Sequence, residues 1–282
     1  MHPTNCLNCG TILTADDQFC PSCGQKTNTH RFTLSHILHE FFHSFTHADK
    51  GFLGLTLDLA IKPGIVAREY IGGKRKKYFN PFTYYLLCTA IILFSVNLFT
   101  NLGQPLKADP KIVAKIPNEK SKQAYFKIIN RTNTASAFMK RNLNTASNLF
   151  LPFYAFLSWI FFRRRGYNYS ELLVAYMLFT SFSSLIIALF FTPWLGAIMK
   201  QGAKPILLYL GGATILIQII YIGIAHYRFF QFKNPLYIIL TSLVSLIGFI
   251  FLFTLIFMGQ FYYIFGSNWW KVMKLTLQQM FN

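Results

Sequence analysis

The sequence predicts an all-α integral membrane protein: about five transmembrane helices, interfacial amphipathic helices ahead of them, and a small cysteine-held ribbon at the N-terminus. Three observations lead there. Apolar residues make up 53% of the chain and charged residues only 13%, where an ordinary soluble domain carries about 25% charged. Apolar runs approaching ~20 residues, enough to cross the hydrocarbon of a bilayer, recur after position 81. Four cysteines stand in two closely paired turns near the start. The charge is lopsided as well, with 27 basic residues against 9 acidic ones, net +18. An oily, basic chain suits an anionic lipid surface. A nucleic-acid partner is disfavoured, because the cations do not gather into one soluble basic domain.

The first domain is residues 1–28. Its pattern is Cys6-x2-Cys9-x10-Cys20-x2-Cys23, with Gly10 and Gly24 directly after the paired turns. Each turn aims two thiolates at one ion, and the glycines permit the tight backbone that follows. Two turns together complete a closed tetrahedral site, which is the spacing of a structural zinc ribbon. The other reading, a thioredoxin-like redox pair, needs a βαβ setting that is not present. Met1-His2-Pro3-Thr4 runs straight into the cysteines with no basic region and apolar core, so the ribbon is expected on the cytoplasmic side. Thiols stay reduced there and bind metal. The fifth cysteine, Cys88, falls inside the first span and reads as a small buried hydrophobe.

Residues 29–81 form the interfacial segment. After the polar linker Thr27–Thr33, Phe32–Ala48 sorts at helical period into two faces. Leu34, Ile37, Leu38, Phe41, Phe42, Phe45 and Ala48 share one side, and His36, His39, Glu40, His43 and His47 the other. Such a helix lies flat on a membrane surface. His39-Glu40-Phe41-Phe42-His43 matches H-E-x-x-H, the helix of zinc peptidases. Short motifs of this kind arise by chance, and the histidines equally serve as the solvated face of the helix or as a pH-responsive surface. Asp49–Ile61 is mostly apolar, with Gly51 and Gly54 allowing a bend. Pro63-Gly64 breaks it, with Pro63 suited to the start of the next helical turn. Ile65–Ile71 is one short helix closed by Gly72-Gly73. Lys74-Arg75-Lys76-Lys77 then stands just before the first span, either as an anionic-headgroup contact or as a solvated topogenic run.

Residues 82–266 carry the spans, at roughly Phe82–Thr100, Leu143–Phe162, Glu171–Thr192, Pro205–Tyr227 and Pro235–Phe257. Pro152 interrupts the second, whose first turn is polar. A cytoplasmic ribbon puts Arg163-Arg164-Arg165, Arg228 and Lys233 on the cytoplasmic side too, in line with the positive-inside rule. The loop 101–142 falls outside, and residues 267–282, with Trp269 and Trp270, form an interfacial tail. Ionisable residues are nearly absent from the spans, which counts against an ion-coupled transporter. Gly211, Gly212, Gly223 and Gly248 read as helix-packing positions.

Several blocks resemble a known family. C-x2-C-G, F-C-P-S-C-G-Q-K, F-T-H-A-D-K-G-F and P-G-x-x-x-R-E-Y-I-x-G-K-R-K-K-Y-F-N-P-F-T-Y-Y, covering Cys6 to about Tyr85, are similar to a bacterial family of zinc-ribbon polytopic membrane proteins filed as a domain of unknown function. Further on, R-R-R-G-Y-N-Y-S-E-L-L at 163–173 is similar to the Yip/Yif-type five-span membrane-trafficking proteins, which act as adaptors. The long basic loop 101–142 departs from that second pattern, where the connection is short. The first resemblance implies a bacterial inner membrane and bound zinc, and no activity.

The expected function is therefore a non-enzymatic inner-membrane scaffold or accessory subunit of a membrane complex. It would hold one zinc at Cys6, Cys9, Cys20 and Cys23, anionic headgroups at Lys74, Arg75, Lys76 and Lys77, and a protein partner. Two other readings stay open: a membrane metallopeptidase using His39, Glu40 and His43, and a channel or lipid transporter.

Overall fold

The computed structural model describes residues 5–28, 31, 33, 51–100, 105–141, 143–201, 204–266 and 270. The expected helix Phe32–Ala48 apart from Thr33, its histidine row with His39, Glu40 and His43, and nearly all of the C-terminal tail lie outside the described residues. Among the described residues the regular structure is helical, apart from two isolated antiparallel bridges in the ribbon. Ten α-helices follow in order: α1 Phe52–Ile61, α2 Ile65–Ile71, α3 Pro81–Phe99, α4 Pro110–Lys115, α5 Glu119–Arg141, α6 Leu143–Phe162, α7 Tyr169–Ile186, α8 Thr192–Gln201, α9 Lys204–Phe229 and α10 Leu236–Phe265. Among the described residues four stretches are long and apolar enough to cross a membrane: Pro81–Phe99, Tyr169–Met199, Tyr209–Phe229 and Leu236–Phe265. The chain is thus a multi-pass membrane protein. The expected second span is the helix α6 and is not one of those four.

The chain divides into two compact units. One comprises Met1–Thr100 and Leu149–Gly248, the other Asn101–Asn148 and Phe249–Asn282. The first unit is built round α7, whose apolar stretch is 72% buried, against 28% for that of α3. Asn168 starts α7 with a capping box: its side chain accepts from Glu171 N, and the Glu171 carboxylate accepts from Asn168 N. Serines and threonines along α7 turn their hydroxyls back onto carbonyls of the preceding turn, for example Thr180 on Tyr176 O, which keeps their polarity inside the helix.

Expected to end at Thr192, this helical run instead continues to Met199 through a π-turn, Ile187–Phe191. The reason is local. A five-residue register places the Ala188 carbonyl opposite position 193, where Pro193 has no N–H to offer. Ser95 of α3 donates its hydroxyl to Ala188 O at 2.6 Å and fills the gap. Two other expectations shift slightly. Gly51 caps the start of α1 while Gly54 lies inside that helix, and Pro63 precedes Gly64, the cap of α2, so it does not open that helix.

At the end of this unit nearest the ribbon, helix termini meet through aromatic rings. Phe162 of α6 lies 4.7 Å from Phe230 and 5.8 Å from Phe232. Tyr167 lies 4.5 Å from Phe229 of α9, and Phe232 stacks on Tyr237 of α10 at 4.3 Å. The Arg165 guanidinium sits 4.3 Å over the Phe232 ring, an arrangement worth about 0.5–1 kcal/mol at an exposed site.

In the second unit the expected outer loop is largely helical. Asp109 caps α4 by accepting from Lys111 N at 2.8 Å. The Asn133 side chain of α5 brackets Leu106, accepting from its N–H at 2.7 Å and donating to its carbonyl at 3.1 Å. Arg131 donates to Ile264 O at 3.2 Å, tying α5 to the end of α10. Along that end, the rings of Phe253, Phe257, Phe261 and Phe265 meet in succession at four-residue spacing, the first pair stacked and the next two tilted.

Candidate metal centre and its seat

The ribbon is one motif used twice. In the first copy Cys6 N donates to Thr11 O and Gly10 N donates to Cys6 O, both at 2.8 Å. In the second copy Cys20 N donates to Gln25 O and Gly24 N to Cys20 O, again at 2.8 Å. Gly10 and Gly24 take φ of 81° and 67°, the left-handed region where a side chain would be strained. The bridges Asn5↔Ile12 and Phe19↔Lys26 close each loop.

This folding brings the two turns face to face. Cys6 Sγ lies 3.6 Å from Cys23 Sγ, and Cys9 Sγ lies 3.6 Å from Cys20 Sγ. All four sulfurs fall within 4.8 Å of one another. A tetrahedral zinc with bonds of ~2.3 Å needs sulfurs about 3.8 Å apart, whereas a disulfide needs ~2.05 Å, so the set fits the ion and not a pair of bridges. Proton competition is uneven across the site. Hydrogen bonding from the Thr11 hydroxyl and backbone lowers the Cys9 thiol to about 6. Partial burial pushes the Cys23 thiol up to about 11. An ion that draws all four into thiolate form removes that cost and stabilises the fold. Four protein ligands fill the coordination shell, so the zinc is structural.

The side of the ribbon bearing Asn8 and Gln25 is fastened to the loop ahead of α3. The buried amide of Gln25 donates from Nε2 to Gly73 O at 2.8 Å and accepts at Oε1 from Lys76 N at 2.8 Å. Asn8, inside the first turn, accepts from Lys77 N at 3.0 Å. One side chain from each copy of the motif thereby reads the loop backbone as a neighbouring strand would.

Glu69 shapes the loop itself. Its carboxylate accepts from Lys74 Nζ at 3.0 Å, Lys77 Nζ at 2.8 Å and the Tyr78 hydroxyl at 2.5 Å. The basic run Lys74–Lys77 is therefore partly neutralised from within, and two of its four cations hold the loop in shape. Lys77, followed by Tyr78, holds the Glu69 carboxyl down at about 2, against an ordinary 4.5. A depressed carboxylate contributes stability above its unfolded value and loses it as pH falls through the folded one. Glu69→Gln should therefore lower the thermal midpoint in detergent by a constant amount above about pH 5, and that difference should shrink between about pH 4.5 and pH 2. A difference flat across that window would remove the carboxylate from the loop's support.

The linker after the ribbon makes a second attachment. Arg31 donates Nε to Glu171 Oε1 at 2.7 Å and Nη2 to Glu171 Oε2 at 2.8 Å, and Nη2 also reaches Gly166 O at 2.8 Å. This two-pronged geometry is the strong form of a guanidinium–carboxylate pair. Within the spans, His226 is fully buried among Phe162, Tyr176, Phe179 and Phe230. Its Nε2 stands 3.4 Å from Ser158 Oγ, which lies 2.8 Å from the Tyr176 hydroxyl.

The sequence located the four cysteines but missed Gln25, Asn8, Glu69 and Arg31. Glu171 alone carried a usable signal, because Asn168-x-x-Glu171 ahead of an apolar run is a capping box. Two family models match the chain: a zinc-ribbon domain over residues 4–27, and a protein of unknown function, DUF3667, over residues 49–93. No curated protein and no solved structure matches it.

Proposed function

We propose that this chain is a non-enzymatic scaffold or accessory subunit of a complex in a bacterial inner membrane, with the ribbon in the cytoplasm. The observation that carries the reading is the seat: a closed four-thiolate ribbon clamped by Gln25 and Asn8 onto the loop that leads into α3. A metal centre with a full shell and a fixed seat builds a rigid surface. The orientation is supported by the cations at that end, Lys74–Lys77, Arg163–Arg165, Arg228 and Lys233, which favour the cytoplasmic side. Four cations against the single carboxylate of Glu69 leave the loop net positive and suited to anionic headgroups. The resemblance of residues 163–173 to the Yip/Yif adaptors also favours an interaction role.

Two measurements test the reading. Purification in mild detergent should recover a stoichiometric protein partner, and repeated recovery of a lone monomer would refute it. Metal analysis should give one zinc per chain, lost with the cysteines. A second zinc, lost in a His39→Ala/His43→Ala variant, would favour the metallopeptidase.

A further inference from the structure

Helix α1 is apolar on two opposite sides. Leu55 and Leu59 are 2% and 0% exposed where they pack on the core, while Leu53, Leu57 and Ile61 are 73%, 64% and 66% exposed. Gly54 and Ala60 are exposed as well. At about 100° per residue these five outward positions fill an arc of about 120°, centred opposite the buried pair. The polar residues stand on the flanks. Thr56 turns its hydroxyl inward, donating to Phe52 O at 2.9 Å and lying 3.0 Å from the Tyr84 hydroxyl. Asp58 is on the other flank, half-buried.

The helix is too short to cross a membrane. Ten residues rise about 15 Å, half of ~30 Å of hydrocarbon. Its ends are pinned near where two spans terminate. The Phe52 ring lies 5.0 Å from that of Tyr84, in the first turn of α3. Ile61 O accepts from Arg228 Nη1 at 2.9 Å, at the last turn of α9. Between them, Leu59 O accepts from the Tyr221 hydroxyl of α9 at 3.3 Å. The outer sides of those two spans are also apolar and exposed, at Leu87, Phe94 and Leu98 in α3 and at Leu216, Ile217 and Ile220 in α9.

We propose that α1 is a half-depth membrane helix whose Leu53–Leu57–Ile61 stripe lies in the acyl chains of the ribbon-side leaflet. The occupant of this face is lipid because the face continues the apolar surface of the spans on either side of it. Its polar atoms are withdrawn inward or set on the flanks, as a helix lying at the acyl boundary requires. A stripe of three large aliphatic side chains left in water would be an exposed patch of the kind monomeric soluble surfaces avoid. The proposal rests on α3 and α9 crossing a bilayer and not on the scaffold reading.

The test uses the whole chain in nanodiscs of phosphatidylethanolamine and phosphatidylglycerol. Leu57→benzoylphenylalanine is irradiated and its adducts are identified by mass, beside Leu53→benzoylphenylalanine and a Phe94→benzoylphenylalanine reference on α3. An unchanged cooperative thermal transition of the spans, beside one zinc per chain, shows that each variant is folded. Phospholipid adducts at positions 53 and 57, in yields of the same order as at 94, are expected. Adducts to residues 34–48 of the same chain, to a second copy or to another protein overturn the proposal. So does a phospholipid adduct at 94 with none at 53 and 57. A protein adduct at 57 would sink lipid as the occupant while leaving the scaffold reading intact, and the lone monomer of the purification test would do the reverse.

Discussion

Gly64→Ala is expected to unfold the membrane core of the first unit. Gly64 caps α2 with φ of 79°, a conformation that costs a residue with a Cβ about 1–2 kcal/mol. The larger cost is steric. An added Cβ would meet Ala225 O at 2.0 Å and Phe229 N at 2.7 Å, and both are backbone atoms of α9. No rotamer change relieves such a contact, so α9 must move away. That movement breaks the bonds holding this corner together: Arg68 Nη1 to Arg228 O, and Arg228 Nη1 to Ile61 O, each 2.9 Å. Overpacking of this sort costs typically 1–3 kcal/mol, and each lost charged hydrogen bond about 1.5–3. The sum approaches the ~5–15 kcal/mol that holds an ordinary domain together. Thermal scanning in detergent should show loss of the cooperative transition or a large drop in its midpoint.

Gly54→Ala supplies the contrast. Gly54 lies inside α1 with nothing within 4 Å of an added Cβ. Alanine there should stabilise the helix by about 0.5–1 kcal/mol. If the two substitutions behaved alike, the close approach of α2 to α9 would be disproved.

The difference between these two glycines marks what can be read from a sequence. Local signals carried well. Pro63-Gly64 and Gly72-Gly73 bracket Ile65–Ile71, and the helix has those bounds, because a breaker acts on its own neighbours. Cysteine spacing located the metal site for the same reason: each pair of ligands sits within one turn of backbone. Gly54 and Gly64 look alike in the sequence, however, and only the approach of α9, some 160 positions later in the chain, makes Gly64 irreplaceable. Gln25 was likewise invisible. Its partners Gly73 and Lys76 are 48 and 51 positions away, and no periodicity connects them. The Lys74–Lys77 run was read as one block of charge because a linear view does not show that the chain folds back to put Glu69 among the lysines. The third span was expected to end at Thr192, since the hydroxyl of Ser95 that makes Pro193 tolerable comes from a different helix.

Cys20→Ser should empty the metal site and unfold the ribbon while the spans stay folded. The core of the ribbon is Cys6, Leu13 and Cys20, with Cys23 packed against it. Burying one leucine contributes about 1.5–3 kcal/mol, whereas ordering each backbone residue costs about 1–2. A core of that size cannot hold residues 5–28 in place. Structural zinc in such a site contributes about 10–16 kcal/mol at neutral pH, so the ion is what closes the balance. Metal analysis should fall from one zinc per chain to none, and protease should cut within residues 5–28. The thermal transition of the spans should shift only slightly, because their packing round α7 does not involve the ribbon core. Gln25→Ala separates the metal from the seat. It leaves the four ligands intact, so zinc should be retained at full stoichiometry. The Lys76 amide then loses its acceptor, and at about 0.5–1.5 kcal/mol per bond its hydrogen exchange should accelerate by roughly 2- to 13-fold. If Cys20→Ser kept its zinc, the ion would not depend on this thiolate; if Gln25→Ala lost zinc, the metal site and the seat would be one cooperative unit, with the contacts to the loop as necessary to the ribbon as the sulfurs.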